Sequence, residues 1–283
     1  MGQQAMQWTV RPGRPEDHPA YARLFLELEV DEPPPSGAVW DSEFVQLSLF
    51  AEGPEGVGAY AVAEPMGDLG YVGQLVVAPS ARGQGMGRLL MTHVAERLRA
   101  QGCARWALNV KRDNAPALAL YTSLGMRLKR EAATLRVTRA QVAALPGPSP
   151  QLFVVPVTLE GCGALTEAFG MMPGKLARYA ARGSHRLLGL VDSRAPSQGW
   201  LGMMDLRATG PVLFPFFATA PAHARALLED AFQRVGDDVP AMNVVVTDDA
   251  ALARLLRDAG AETRYETLEL RGPLPAAAPA PRR

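Results

Sequence analysis

Apolar residues at Tyr21, Leu24, Phe25 and Leu28 recur at helical spacing, with Pro15 suited to a first turn, so a helix is predicted there. A short strand from Gln7 to Val10 precedes it, and the proline run within Asp31–Gly37 stops it. A brief second helix over Val39–Gln46 leads to strands at Leu47–Glu52, Gly56–Pro65 and Tyr71–Ala78, joined by the turn strings GPEG and MGDLG. The next helix places Met86, Leu90, Val94 and Leu98 on one face and stops at Gln101-Gly102. A buried strand, Cys103–Val110, a helix from Asn114 to Gly125 and one or two closing strands in MRLKREAATLRV complete a mixed α/β pattern with long crossovers.

Composition then changes from Thr138 to Pro150, where an Ala-rich polar stretch ends in three prolines within five residues and reads as a linker. Beyond it the plan repeats. Ala241–Leu270 has the same strand, acidic turn, helix, glycine and closing strand as the stretch from Trp106 to Leu135. Aligning Gly260 with Gly125 sets Asp249 opposite Asn114 and Leu256 opposite Tyr121. Aligning Leu227-Leu228 with Leu89-Leu90 sets His223 and Arg225 where Gly85 and Gly87 stand. The architecture is duplicated without its glycines, so only the first copy is expected to let its backbone approach a phosphate. RGPLPAAAPAPRR closes the chain as a low-complexity tail expected to be disordered.

Those glycines, Gly83, Gly85 and Gly87, alternate where a strand hands over to a helix. Such a turn leaves N–H groups pointing outward at the positive end of a helix dipole and so forms an anion cradle. Helix-terminus attraction contributes only ~0.3–1 kcal/mol per charge, so hydrogen bonds and Arg82 or Arg88 must add most of the grip. A dinucleotide fingerprint would need glycine at position 88, which is Arg88, and a Walker loop would need Lys followed by Ser or Thr. The spacing that remains is Arg82-x-x-Gly85-x-Gly87, followed later by Asn114-x-x-Ala117-x-x-Leu120-Tyr121-x-x-Leu124-Gly125-Met126. With both strings in this order, the chain resembles the GNAT family of acyl-CoA N-acyltransferases.

The resemblance implies a GNAT-like α/β fold, with residues 1–140 as the acetyl-CoA-binding unit, 141–150 as linker, 151–272 as a degenerate GNAT-like unit and 273–283 as tail. It implies coenzyme A on Arg82, Gly83, Gln84, Gly85, Met86, Gly87 and Arg88, with Asn114, Ala117 and Tyr121 contributing from the later string. It also implies that backbone N–H groups of Leu75, Val76 and Val77 face the acyl carbonyl, where such donors are worth ~10²–10³ in rate. On spacing alone Tyr121 is a core tyrosine; its family position makes it the general acid toward the leaving thiolate. Asn114 reads as a helix N-cap, and the resemblance adds contact with the cofactor.

A base is harder to find. Many relatives carry Glu on the strand before the turn, and here that residue is Gln74, which cannot take a proton. Glu27, Glu29, Asp31, Glu32 and Glu43 are the acids near the expected acceptor side, each by default a solvated residue, and a water chain is the alternative. Asn109 either faces the acceptor or lies on the solvent side of the sheet.

Charge and composition narrow the partners. Lys plus Arg and Asp plus Glu are 29 each, giving no global field for nucleic acid or an anionic membrane. No apolar run approaches a spanning helix, the first ten residues lack a signal-peptide core, and Cys103 and Cys162 form no disulfide framework. A cytoplasmic protein is expected, a monomer or homodimer. The four histidines show no metal-ligand spacing, so no metal is expected. These readings converge on acetyl transfer from acetyl-CoA to the primary amine of a small molecule or peptide. A catalytically weak acyl-CoA-binding regulatory or scaffold protein is the rival.

Overall fold

The computed structural model describes residues 8–30, 33–181, 185–195, 199–207 and 212–276. The chain divides into two compact units, one of Met1–Asn109, Pro116–Arg127 and Leu270–Arg283, the other of Val110–Ala115 and Leu128–Glu269.

In chain order the first unit begins with β1 (Thr9–Pro12), α1 (His18–Phe25) and α2 (Gly37–Val39), then β2 (Ser48–Gly53), β3 (Gly56–Met66) and β4 (Leu69–Val77). α3 (Met86–Ala100), β5 (Arg105–Lys111) and α4 (Ala115–Ser123) follow. The helix expected over Val39–Gln46 is instead a composite, with a π turn at Trp40–Phe44 and a 3₁₀ turn at Val45–Leu47 after α2. Tertiary packing overrides a single helical period there. Trp40 is fully buried, its ring stacked on Tyr21 with centroids 4.6 Å apart and its Nε1 donating to Pro15 O at 3.2 Å.

Strands β1 to β5 lie in sequence order. The first three pairings are antiparallel and β4–β5 is parallel. Leu90, Met91, Val94 and Leu98 bury one face of α3, as the periodicity predicts. Gly70 permits that packing, since a Cβ there would stand 2.3 Å from Leu98 Cδ1. The unit is closed by the far end of the chain. Leu274 N donates to Ala104 O at 2.9 Å, and a Cβ on Gly272 would meet Gly125 O at 2.9 Å. Arg271–Pro273, expected as the start of an unordered tail, is therefore strand; residues 277–283 lie outside the described residues.

The second unit contains β6 (Arg127–Thr138), α5 (Arg139–Ala143), β7 (Leu152–Pro156), α6 (Cys162–Ala168), α7 (Lys175–Ala180), β8 (His185–Asp192), β9 (Gly202–Arg207) and β10 (Val212–Ala218). It continues with α8 (Pro221–Val235), β11 (Ala241–Thr247), α9 (Ala250–Asp258) and β12 (Glu262–Pro273), in the strand order β12-β6-β11-β10-β9-β8-β7. The stretch expected as a linker is half folded. Thr138 and Gln141 cap α5 reciprocally, Val142 and Leu145 are buried, and Arg225 Nη1 holds Leu145 O at 2.7 Å.

Replacing Gly272 by Val should force the chain end away from Gly125 and cost about 1–3 kcal/mol. Thermal unfolding would register this as a lowered midpoint; an unchanged midpoint would mean that this end does not close the unit.

Candidate functional site

The site grows from a divergence of two strands. Parallel pairing of β4 and β5 runs from Leu69↔Arg105 to Val72↔Leu108 and ends there, although β4 continues to Val77. From Gly73 onward the β5-facing edge of β4 is open. Gly73 is also the extra residue of a bulge, because β3 pairs Val62 with Gln74 and Ala63 with Val72. Ala78 N donates to Gly58 O at 2.8 Å. Strand alternation then turns the N–H of Val76 toward β3 and those of Leu75 and Val77 toward the open edge. Val77 O points the same way and accepts from Arg82 Nε at 3.1 Å.

Beyond this edge lies the glycine turn. Gly83 and Gly85 have φ of 74° and 81° and open space where a Cβ would sit, so both are required by backbone conformation. Gly87 answers a different demand: its Cβ would lie 3.1 Å from Leu120 Cδ2 of α4. The first helical acceptance is Leu89 N to Gly85 O at 3.0 Å. Among the described residues, the backbone N–H groups from Gly83 to Arg88 meet no carbonyl. Concentrated at the positive end of α3, they fit the pyrophosphate of coenzyme A.

The side chains around the cradle are already engaged. Arg82 pairs with Glu27 at 2.7 Å, Arg88 donates to Ser123 Oγ at 2.6 Å, and Gln84 donates to Ser80 O at 3.0 Å. Met86 is buried beneath the turn. The arginines would have to change partner to hold an anion, whereas the backbone needs no rearrangement. Tyr121 follows Leu120 on α4 and is 6% exposed; burial raises its hydroxyl above the usual phenol range, so it stays protonated at neutral pH. Ala117 is half-buried on the same helix. Asn114 directly precedes α4 in the segment assigned to the second unit, and its counterpart Asp249 caps α9 by accepting from Leu252 N at 2.8 Å.

The opposite face of the first unit's sheet holds what sequence reasoning missed. Tyr60 Oη donates to Gln74 Oε1 at 3.0 Å, and Tyr21, its ring 5.0 Å from that of Tyr60, is fully buried with its hydroxyl close to Gln74. Burial pushes Tyr21 up to about 12, against a smaller opposing pull from Gln74, and raises Tyr60 further, with a smaller contribution from Tyr21. Asn109 is exposed and donates to Tyr71 Oη at 2.9 Å. The alternation Tyr60, Val62, Glu64 was visible in the sequence, but its pairing with Gln74 was not. Glu29 is exposed in the left-handed region at φ 50°, Glu43 is half-buried, and Asp31 and Glu32 lie outside the described residues.

Between β10 and α8 the second unit has no comparable turn. α8 starts at Pro221, shortly after β10 ends at Ala218, so His223 and Arg225 stand within the helix rather than in a turn as their alignment suggested. Thr219 Oγ1 lies 2.8 Å from His223 Nδ1, and Arg225 is spent on Glu229 and on the Ala143 and Leu145 carbonyls. Burial raises both Cys103 and Cys162, which leaves them poor nucleophiles.

The family model for acetyltransferases of the GNAT family matches residues 4–126. Over that stretch the chain is similar to the GNAT family. Within it, the ribosomal protein bS18-alanine N-acetyltransferase of Salmonella typhimurium is 32% identical over 82 residues, covering 29% of this chain and 54% of that protein. The chain spans about half the length of the curated relatives it matches. Among solved structures, the GCN5-related N-acetyltransferase of Sphaerobacter thermophilus aligns at TM-score 0.67 and 21% identity, covering 96% of this chain and 97% of that one. A tandem GNAT protein from the clavulanic acid biosynthesis pathway aligns at TM-score 0.61 and 15% identity over 96% and 100%. At these identities the likeness is one of fold, and it extends over both GNAT-like units.

Gly85→Val should weaken coenzyme A binding at least tenfold in calorimetric titration. Glu27→Gln, which releases Arg82, should leave binding intact or tighten it. Equal binding by wild type and Gly85→Val would place the anion elsewhere.

Proposed function

We propose that the chain is an N-acetyltransferase that moves the acetyl group of acetyl-CoA to a primary amine by direct attack in a ternary complex. The observation that carries this is the run of N–H groups from Gly83 to Arg88 beside the open edge of β4, in a stretch similar to the GNAT family. Coenzyme A supplies a thioester, whose carbonyl carbon is open to attack and whose sulfur can leave. Residues 83–88 bind the pyrophosphate. The N–H groups of Leu75 and Val77 receive the carbonyl oxygen as it becomes an oxyanion, with Val76 completing the strand between them.

As the C–N bond forms and the C–S bond breaks, the thiolate takes the Tyr121 proton, and the amine's proton passes to solvent and thence back to the phenol. Burial supports this role, since a phenol kept protonated remains a donor throughout the working pH range. Asn114 and Ala117 flank the cofactor by family position. Gln74 and Asn109 meet the acceptor; Glu29, exposed at the end of the α1 segment, is a weaker candidate for the same contact. The second unit, without a turn between β10 and α8, binds no coenzyme A in this manner.

The acceptor is a small-molecule or peptide amine; the bS18 relative acts on an alanine of a ribosomal protein. No helix among the described residues is long and apolar enough to cross a membrane, and a cytoplasmic monomer or homodimer fits the charge balance and cysteine usage. The amide at Gln74 favours one second reading, an acyl-CoA-binding protein with little turnover.

Thiol release from acetyl-CoA across a panel of amines separates the two. Tyr121→Phe should lower kcat by roughly 10²–10⁴ while the KM for acetyl-CoA changes by less than about threefold. Binding of acetyl-CoA with no amine-dependent release would favour the second reading.

A further inference from the structure

Gln74 and its neighbours bear on which amine can react. Leu75 and Gly70 face α3, through Gly87 and Leu98 respectively. Their strand neighbours Gln74 and Tyr71 therefore share the opposite face with Tyr60, Val62 and Glu64 of β3 and with Asn109 of β5. At the level of the open edge, the polar groups on this face are the Gln74 amide, the Tyr60 hydroxyl bonded to it, and the buried Tyr21 hydroxyl from α1. Lower down stand Asn109 and Tyr71, bonded to each other. These groups are neutral, the two buried phenols holding their protons, and at the open edge itself Arg82 bonds Val77 O and pairs with Glu27.

The carboxylate of the stripe is Glu64, 8% exposed and directly opposite Tyr71. It lies two strand positions beyond Val62, roughly 7 Å along β3 from the residue facing Gln74. Glu29 and Glu43 belong to the segment between α1 and β2. With its oxygen taken by Tyr60 and the Tyr21 hydroxyl close to its amide nitrogen, Gln74 keeps an N–H to donate to a carbonyl.

Building on the acetyl-transfer reading, we propose that the acceptor is a weakly basic α-amino group with a neighbouring amide carbonyl, as at a peptide N-terminus, and not a lysine-type alkyl amine. Among the described residues, the neutral groups of Gln74, Tyr60 and Tyr21 take up the neutral amine, while Glu27 is paired with Arg82 and Glu64 lies farther along β3. An α-amine ionises near ~7.8 and an alkyl amine near ~10.4, so at pH 7 the neutral fraction of the first is about 340-fold larger. The stronger nucleophilicity of the alkyl amine returns part of that factor. The carbonyl beside an α-amine also meets the Gln74 N–H, which a lysine side chain cannot do.

The experiment follows thiol release from acetyl-CoA by the full-length protein between pH 6 and 10, with alaninamide and with Nα-acetyl-lysinamide as acceptors. At pH 7, kcat/KM for alaninamide should be at least tenfold higher. It should rise tenfold per pH unit and level off at the separately titrated ionisation of alaninamide itself, while the lysine derivative keeps gaining to about pH 10. Gln74→Glu should raise the neutral-pH rate of the lysine derivative relative to alaninamide. Three results overturn the proposal: the lysine derivative reacting as fast as alaninamide at pH 7; an alaninamide profile that levels below that amine's own ionisation and loses this limb in Glu27→Gln, Glu29→Gln, Glu43→Gln or Glu64→Gln; or turnover confined to amines outside the α-amino class. Release with no primary amine at all would instead remove the acetyl-transfer reading on which the proposal stands.

Discussion

The parting of β4 from β5 after the Val72↔Leu108 pair is the constraint on which the site depends. A parallel ladder normally satisfies both strands, and an edge left open inside a domain carries donors and acceptors that need other partners. Here the bulge at Gly73 ends the pairing, and the N–H groups of Leu75 and Val77 face the gap. Arg82 covers one open carbonyl, that of Val77. The arrangement is stable because the other edge of β4 is fully laddered to β3, and because α3 packs across the strands through Gly70 and Leu98.

The glycine turn adds a second set of donors for a related reason. Gly83 and Gly85 bend the chain so that several N–H groups project before α3 closes its first hydrogen bond, and Gly87 lets α4 approach. The C-terminal unit shows what happens when this device is missing. With Pro221 two residues after Thr219, the helix starts almost at once, His223 becomes a helical residue, and Arg225 serves packing by holding the Ala143 and Leu145 carbonyls. Duplicated architecture therefore does not duplicate the glycine turn, which resides in the length and conformation of one loop.

On the other face of the first sheet, acid–base chemistry is muted. Amides stand at Gln74 and Asn109, and the phenols of Tyr21 and Tyr60 are held protonated by burial. Under the acceptor proposal, such a face selects by the state in which an amine arrives.

Much of this was legible in the sequence. Helical spacing marked α3, alternate glycines marked the cradle, the two motif strings marked the family, and the repeat from Ala241 to Leu270 marked the second unit, because these are local properties of spacing and backbone conformation. Other features depend on residues brought together from afar. The composite turn at Trp40–Phe44 follows from burial of Trp40 against Tyr21, and Val142 and Leu145 fold part of an apparent linker because a core is there to receive them. Gly272 closes the first unit from the far end of the chain, where composition alone suggested a loose tail. The hydrogen bond from Tyr60 to Gln74 depends on the β3–β4 register and its bulge. Sequence by itself determined the glycine turn at the start of α3; tertiary structure decided which strand edge stays open and which side chains share the opposite face, because register and burial are set only when distant segments pack.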